Sequence, residues 1–269
     1  MYLDLHPRPG KYTHAAHFTV RCGCRVSGPN SEYQLPVVAL VCNMNSGSAT
    51  LSSHSEVETL FHEMGHALHS LLSRTNFQHM AGTRAAMDFV ETPSHWMEHF
   101  VWDPDFLGIL CQRHVQVMDY DSIQALAASR NQFRCLEMQS QIILSRFDQE
   151  IFGGPSIPGR PQKIWTHLHN EYQVPFVPET HFYTNVGHFV TYGAGYYGYL
   201  YSQVFAGAIW NELFTPKGSM DRTAGQRLWK GMLIHGGARD AKLMLHDLLG
   251  GKTPTIESFG HSLSMMRRS

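Results

Sequence analysis

Three residues within five positions could hold and use a metal ion. His62, Glu63 and His66 form the pattern H-E-x-x-H in the run Phe61-His62-Glu63-Met64-Gly65-His66. In an α-helix, residues four apart lie one turn apart on the same face, so the imidazoles of His62 and His66 can be aimed at a single ion. Zinc suits two neutral imidazoles and leaves room for a third protein ligand and a water. Glu63 follows the first ligand and points slightly aside, where its carboxylate reaches that water rather than the ion. The chemistry expected is hydrolysis of a peptide bond. Zinc lowers the pKa of the water to about 7, and Glu63 takes its proton during attack on a carbonyl and passes it to the leaving amine.

Two residues compete to be the third ligand. His69 lies seven positions after His62, on the same face but two turns, or about 10.5 Å, along the axis. Three ligands on one straight helix are awkward, which makes His69 a helix-face residue or a partner to a ligand. Glu91, in Asp88-Phe89-Val90-Glu91-Thr92-Pro93-Ser94, is the better third ligand, on a second helix packed against the first.

The elements that must position these residues follow from periodicity. Segments 17–21 (HFTVR) and 34–42 (QLPVVALVC) are short, β-branched and bounded by Gly, Pro, Asn and Ser, so a β-rich edge is expected over residues 1–50. The second segment could hold an extended peptide by strand addition. Residues 27–33 and 43–53 read as loops. From Ser55 the apolar period becomes helical: Val57, Leu60, Phe61, Met64, Leu68 and Leu71 share a face, and Ser55 with Glu58 resembles a capping box. Further helices are expected at about 92–103, 105–118, 121–152, 161–172, 192–214 and 221–235, with Gly153-Gly154-Pro155 as the clearest stop and VPFVPET as an extended segment. The fold expected is mainly α, with a small sheet near the N-terminus and helices over residues 51–269.

Composition excludes some partners. The 269 residues are 43% hydrophobic and carry a formal net charge of −1, so nothing draws the chain electrostatically to nucleic acid. No apolar run is long enough to span a bilayer, and membrane insertion is not expected. The first residues, MYLDLHPRPGKY, have neither a secretory apolar region nor the composition of a transit peptide. The five scattered cysteines are expected to be free thiols in a reducing compartment; Cys22-Gly-Cys24 lacks a second pair to complete a metal site.

The runs FHEMGHALHSLL and GTRAAMDFVETPSHWMEHF together resemble the M3 family of zinc peptidases. That family carries F-H-E-x-G-H and, 29 residues past its first His, a zinc-ligand Glu within D-F-x-E-x-P-S; here that position is Glu91. The resemblance continues through HFTVRCG, LPVVALVCNM, GHFVTYGAGYYGYLYSQVFAGAIW and LIHGGARD. It implies a helical, zincin-type catalytic lobe over residues 1–269, with zinc as cofactor and a peptide or precursor protein as substrate. It also implies that His188, Tyr192, Tyr196 and Tyr199 stabilise the tetrahedral intermediate; the alternative for tyrosines at such spacing is a packed helix face, against which the surrounding Gly187, Gly193, Gly195 and Gly198 argue for a pliant or closely approached loop. Segments HFTVR, QLPVVAL and RTNFQHMAGTR look most like the members that remove an N-terminal octapeptide from imported precursors in the mitochondrial matrix. A general oligopeptidase, or an inactive homologue that binds zinc or peptide, are the alternatives. Family members are two to three times as long, with the additional sequence N-terminal. The chain is therefore expected to supply the catalytic lobe, to lack the opposing N-terminal helical lobe, and to be a poor peptidase by itself.

Overall fold

Among the described residues, strands are confined to the first 41 positions and helices dominate the rest. The computed structural model describes residues 1–26, 32–44, 53–111, 118–130, 132 and 134–255. The strands are β1 (Tyr2–Asp4), β2 (Ala16–Arg21), β3 (Cys24–Arg25), β4 (Tyr33–Gln34) and β5 (Val37–Val41). The three-stranded sheet has the order β1-β5-β2, with β1 parallel and β2 antiparallel to β5, while β3 and β4 form a separate ribbon. Pro36 cannot donate to a ladder and separates β4 from β5, so the single apolar strand expected over 34–42 divides between two sheets.

The central place of β5 corrects a second expectation. Both of its edges are already paired, which leaves no edge for an added peptide strand. Among the described residues, the edges left unpaired in this sheet belong to β1 and β2. Strict alternation sends Val38 and Leu40 inward from β5, where they pack with Cys42 against Ala67. Lys11 ties this corner together. Its ammonium donates to the carbonyls of Asp4, His6 and Cys42 and pairs with the Asp4 carboxylate at 3.1 Å.

The first helix, α1 (His54–Leu72), carries the H-E-x-x-H pattern. Its capping box lies two residues earlier than the sequence suggests: Ser53 Oγ accepts from Glu56 N at 3.2 Å and Glu56 returns the bond to Ser53 N at 2.7 Å. Ser55 instead sits in the first turn, where its carbonyl accepts from Thr59 Oγ1. Then follow α2 (Thr92–Glu98), α3 (Pro104–Cys111), α4 (Tyr120–Ser129), α5 (Arg134–Phe152), α6 (Arg160–Glu171), α7 (His188–Thr191), α8 (Tyr197–Ile209), α9 (Arg222–Gly231) and α10 (Ala241–Leu248). The helix expected over 121–152 is two, α4 and α5. Ser129 Oγ turns back onto the Leu126 carbonyl at 2.7 Å, a side-chain bond that competes with helix continuation. The helix expected at 192–214 starts only at Tyr197 and ends in a wider π turn, Trp210–Phe214. Val174–Thr180 joins no strand. The expected loops at 27–33 and 43–53, and the end of the helix at 105–118, fall largely outside the described residues.

In layers, the sheet lies on α1, α1 on α2, and α2 on α8. The main core gathers Phe89, Trp96, Ile209, Phe214, Leu228 and Met244, and a second core gathers Ile143, Phe147, Trp165, Leu168 and Phe189 around α5 and α6. No described helix is long and apolar enough to cross a membrane.

Candidate metal centre and cleft

The meeting of α1 and α2 builds the centre. Gly65 makes the approach possible: a Cβ there would stand 2.5 Å from Ser94 Cα and 2.8 Å from Pro93 C, and would also run into the Pro93 carbonyl oxygen. Only a residue without a side chain lets the α2 backbone lie against α1 at this point. Pro93 in the first turn of α2 needs no N–H there and starts the helix abruptly. Glu91, the N-cap residue, is thereby delivered over the imidazole pair.

Glu91 Oε2 lies 3.2 Å from His62 Nε2 and 3.1 Å from His66 Nε2. With metal–ligand bonds of about 2.0–2.2 Å, ligand atoms across a tetrahedral edge stand roughly 3.3–3.6 Å apart, so this set is slightly contracted from a metal cage. The three donor atoms all lie within 4.8 Å of one another. Two imidazoles and one carboxylate, all partly buried, fit a divalent transition metal. Ser94 Oγ donates to Glu91 Oε2 at 3.0 Å and steadies the carboxylate.

His62 is held from its other side as well. Its Nδ1 donates to Glu98 Oε1 at 2.7 Å, and His95 Nδ1 approaches the same oxygen at 2.9 Å. Glu98 holds the Nδ1 proton of His62, so Nε2, which faces Glu91 and His66, is the nitrogen that becomes free to ligate when the ring loses its second proton. His62, His95 and Glu98 also satisfy the distance criterion for a second metal group. The separations of 2.7 and 2.9 Å decide against it: they fit N–H···O bonds converging on one acceptor and are too short for a tetrahedral edge. Burial alone would lower the pKa of His62, but the Glu91 and Glu98 carboxylates outweigh it and raise it to about 10. Burial would raise the Glu91 carboxyl, yet His62 and His66 hold it well below the usual range.

His69 takes no part in this group. It is completely buried, 6.2 Å from the Phe89 ring, and neither ring nitrogen has a partner among the described residues. Burial, then the neighbouring His66 and His17, lower its pKa to about 3, so it is a neutral core residue. Glu63 is buried on α1. Burial lifts the Cys42 thiol to about 11, and the Glu63 charge adds to that rise.

A cavity of about 510 Å³ opens beside the centre. His66 and Glu91 lie on its wall together with His188, Tyr192, Tyr196 and Tyr199, so the structure brings all four cleft residues expected from sequence to the metal group. The His188 ring is 6.1, 6.0 and 5.6 Å from the rings of Tyr192, Tyr196 and Tyr199. These tyrosines do not share a helix face. Tyr192 ends α7, Tyr196 precedes α8, and only Tyr199 lies within it. Burial raises the Tyr199 phenol well above its ordinary pKa, with Glu91 and Glu63 adding to the rise, so its O–H stays a donor at neutral pH. The opposite wall includes Tyr12 and His17, which sequence reasoning left out. Glu98 was also missed, although seven residues from Glu91 is two helical turns, a spacing that puts both on one side of α2.

Residues 1–263 match the profile of Peptidase family M3. The chain belongs to peptidase family M3. Members of this family are generally metallopeptidases. The chain is 39% identical over 267 residues to the mitochondrial intermediate peptidase of Arabidopsis thaliana, covering 97% of this chain and 37% of that one. It is 36% identical over 270 residues to the mitochondrial intermediate peptidase of Homo sapiens, covering 98% of this chain and again 37% of the relative. The chain thus spans little more than a third of the length of these relatives. Among solved structures, PZ peptidase A with a bound inhibitor superposes with a TM-score of 0.63 at 16% identity, covering 98% of this chain and 43% of the other. A structure assigned to an oligoendopeptidase F superposes with a TM-score of 0.64, also at 16% identity, covering 99% and 42%. These two likenesses concern the fold, which is that of M3 and oligoendopeptidase structures.

Proposed function

We propose that the chain carries the catalytic centre of a zinc-dependent endopeptidase that trims an N-terminal octapeptide from imported precursors in the mitochondrial matrix. The observation that carries the chemistry is the convergence of His62 Nε2 and His66 Nε2 on Glu91 Oε2, at 3.2 and 3.1 Å, beside a cleft lined with phenols. The resemblance to mitochondrial intermediate peptidases supports the substrate class and compartment.

Zinc held by His62, His66 and Glu91 would supply Lewis-acid polarisation and a water acidic enough to attack at neutral pH. Glu63 accepts the proton of the attacking water and donates it to the departing amine. Tyr199, held protonated by its burial, donates to the oxygen of the scissile carbonyl as charge develops there, with Tyr192, Tyr196 and His188 as further donors along the same wall. Glu98 keeps His62 in the tautomer that can ligate. The residues around the cavity include no Lys or Arg, and their one carboxylate is Glu91. Among the described residues, this wall therefore has no Lys or Arg to seize a substrate's C-terminal carboxylate. Cleavage within a chain suits such a cleft better than removal of single terminal residues.

The test is removal of metal with a chelator, return of one equivalent of zinc, and assay on two probes: an internally quenched peptide and a precursor-like protein with an octapeptide N-terminal to the cut. Zinc-dependent release of the intact octapeptide supports the reading. Cleavage of the free peptide alone assigns a scavenging oligopeptidase, and hydrolysis indifferent to the chelator removes the metal from the account.

A further inference from the structure

The segment that carries the cleft tyrosines is gripped by α5, a helix that supplies none of the residues lining the cavity. Asp148, in α5, is only 1% exposed, and among the described residues neither of its oxygens forms an ion pair. They accept instead from two backbone amides 46 and 48 residues away: Oδ1 from Ala194 N at 3.0 Å and Oδ2 from Tyr196 N at 2.9 Å. The next residue, Gln149, donates its side-chain amide to the Ala194 carbonyl at 2.7 Å. The backbone N–H and C=O of Ala194 are thus bound by consecutive side chains of α5. One turn on, the Phe152 ring lies against Gly193 so closely that any Cβ there would run into it.

What is held is otherwise unfavourable. Ala194 has φ +61°, the left-handed conformation that an L residue adopts at a cost and that its glycine neighbours would adopt freely. The helix that follows, α8, starts at Tyr197 with Tyr196 as N-cap and no side-chain cap of its own. A carboxylate at that end satisfies amides that would lack partners and opposes the positive pole of the helix. A loop left to itself would relax Ala194 to negative φ and swing Tyr192 and Tyr196 relative to Tyr199.

We propose that Asp148 and Gln149 are positioning residues that lock the 193–196 loop in its strained form, fixing the tyrosine wall over the metal centre before substrate arrives. The proposal rests on the donor role given above to the tyrosines. Neither residue touches substrate in this account. Each acts through the loop, and a misplacement of about 1 Å at the donors is enough to cost roughly 100-fold in rate.

The experiment uses the full chain loaded with one equivalent of zinc and an internally quenched peptide. Asp148→Asn keeps one acceptor and turns an N–H₂ toward the second amide. Gln149→Ala is the milder variant, on an exposed side chain, should Asp148→Asn fold poorly. Both should retain bound zinc, lower kcat roughly 10- to 100-fold with KM changed less than about threefold, and speed amide hydrogen exchange at 194–196. In a Tyr196→Phe/Tyr199→Phe background the same substitutions should cost much less, because the groups they position are already gone. Unchanged exchange at 194–196, or a kcat loss that adds in full to that of the tyrosine variants, would overturn the proposal. If Tyr196→Phe and Tyr199→Phe leave kcat untouched, the donor reading falls and takes this proposal with it. Failure of the lock alone looks different: the tyrosine variants then slow turnover while Asp148→Asn and Gln149→Ala behave as the parent.

Discussion

Gly65→Ala offers a test in which local and tertiary physics predict opposite signs. Within an isolated helix, replacing glycine by alanine stabilises by about 1 kcal/mol. In this fold the new Cβ would stand 2.5 Å from Ser94 Cα and 2.8 Å from Pro93 C, where carbon atoms settle at roughly 3.5–4.0 Å. Relief requires α2 to retreat from α1 by about 1 Å, since the atoms met are backbone and cannot rotate away. Overpacking of this kind costs about 1–3 kcal/mol, enough to cancel or reverse the helical gain. The greater damage falls on the ligands. Glu91 rides on the start of α2, and metal–ligand distances tolerate about ±0.2 Å, so a retreat of about 1 Å pulls Oε2 out of reach of the site shared by His62 and His66. A loss of zinc affinity of at least 10- to 100-fold is expected, comparable to the loss of an outer hydrogen-bonding partner. Chelator competition gives the zinc Kd, and thermal unfolding with and without zinc gives the stability. A Gly65→Ala protein that binds zinc like the parent and unfolds at a higher temperature when metal-free would refute the reasoning, because it would show that the two helices do not need this close approach.

Three further outcomes are expected. Glu63→Gln should retain stoichiometric zinc while hydrolysis falls by about 10²–10⁴-fold, since an amide can hold a water but cannot take its proton; lost zinc or preserved turnover would assign Glu63 elsewhere. Tyr199→Phe should lower kcat with KM nearly unchanged, the mark of a bond made in the transition state, and a change in KM alone would make Tyr199 a binding residue. Zinc binding should release a proton near pH 7.5, because His62, raised to about 10 in the metal-free protein, is protonated there and must lose that proton to ligate. The sign for folding follows: the contribution of His62⁺ to metal-free stability is fully present below about pH 6.5 and is lost as pH rises through 10. Calorimetry in buffers of different ionisation enthalpy measures the proton, and its absence would mean that His62 is already neutral.

How much of this could be read from sequence depended on whether the cause was local. His62 and His66 share a face because of helical geometry alone, and Glu91 stood out through its motif spacing. The structure brings those three together and leaves His69 out of the group. Its spacing placed it on the correct side of α1, but only the packing of Phe89 shows that this position is core. Ser53 and Ser55 each precede a Glu by three residues, and local pattern could not choose between them; the extended backbone of Ser53, bonded to Glu56, marks it as the cap. The place of β5 in the middle of the sheet depends on pairing with Tyr2–Asp4, more than thirty residues away, for which the sequence holds no marker. Helical spacing left a packed helix face open as the alternative reading of the tyrosines; Ala194 at positive φ breaks the helix expected from residue 192, and Asp148, nearly fifty residues earlier, holds the break in place. Local periodicity sees none of these long-range partners.

Anomalous diffraction at the zinc edge, from crystals of the protein loaded with one equivalent, locates the ion against the ligand set His62, His66 and Glu91. One peak is expected, about 2.0–2.2 Å from His62 Nε2, His66 Nε2 and a Glu91 carboxylate oxygen, with Glu98 still hydrogen-bonded to His62 Nδ1. A peak between His62, His95 and Glu98, or one that draws in His69 in place of Glu91, would contradict that ligand set.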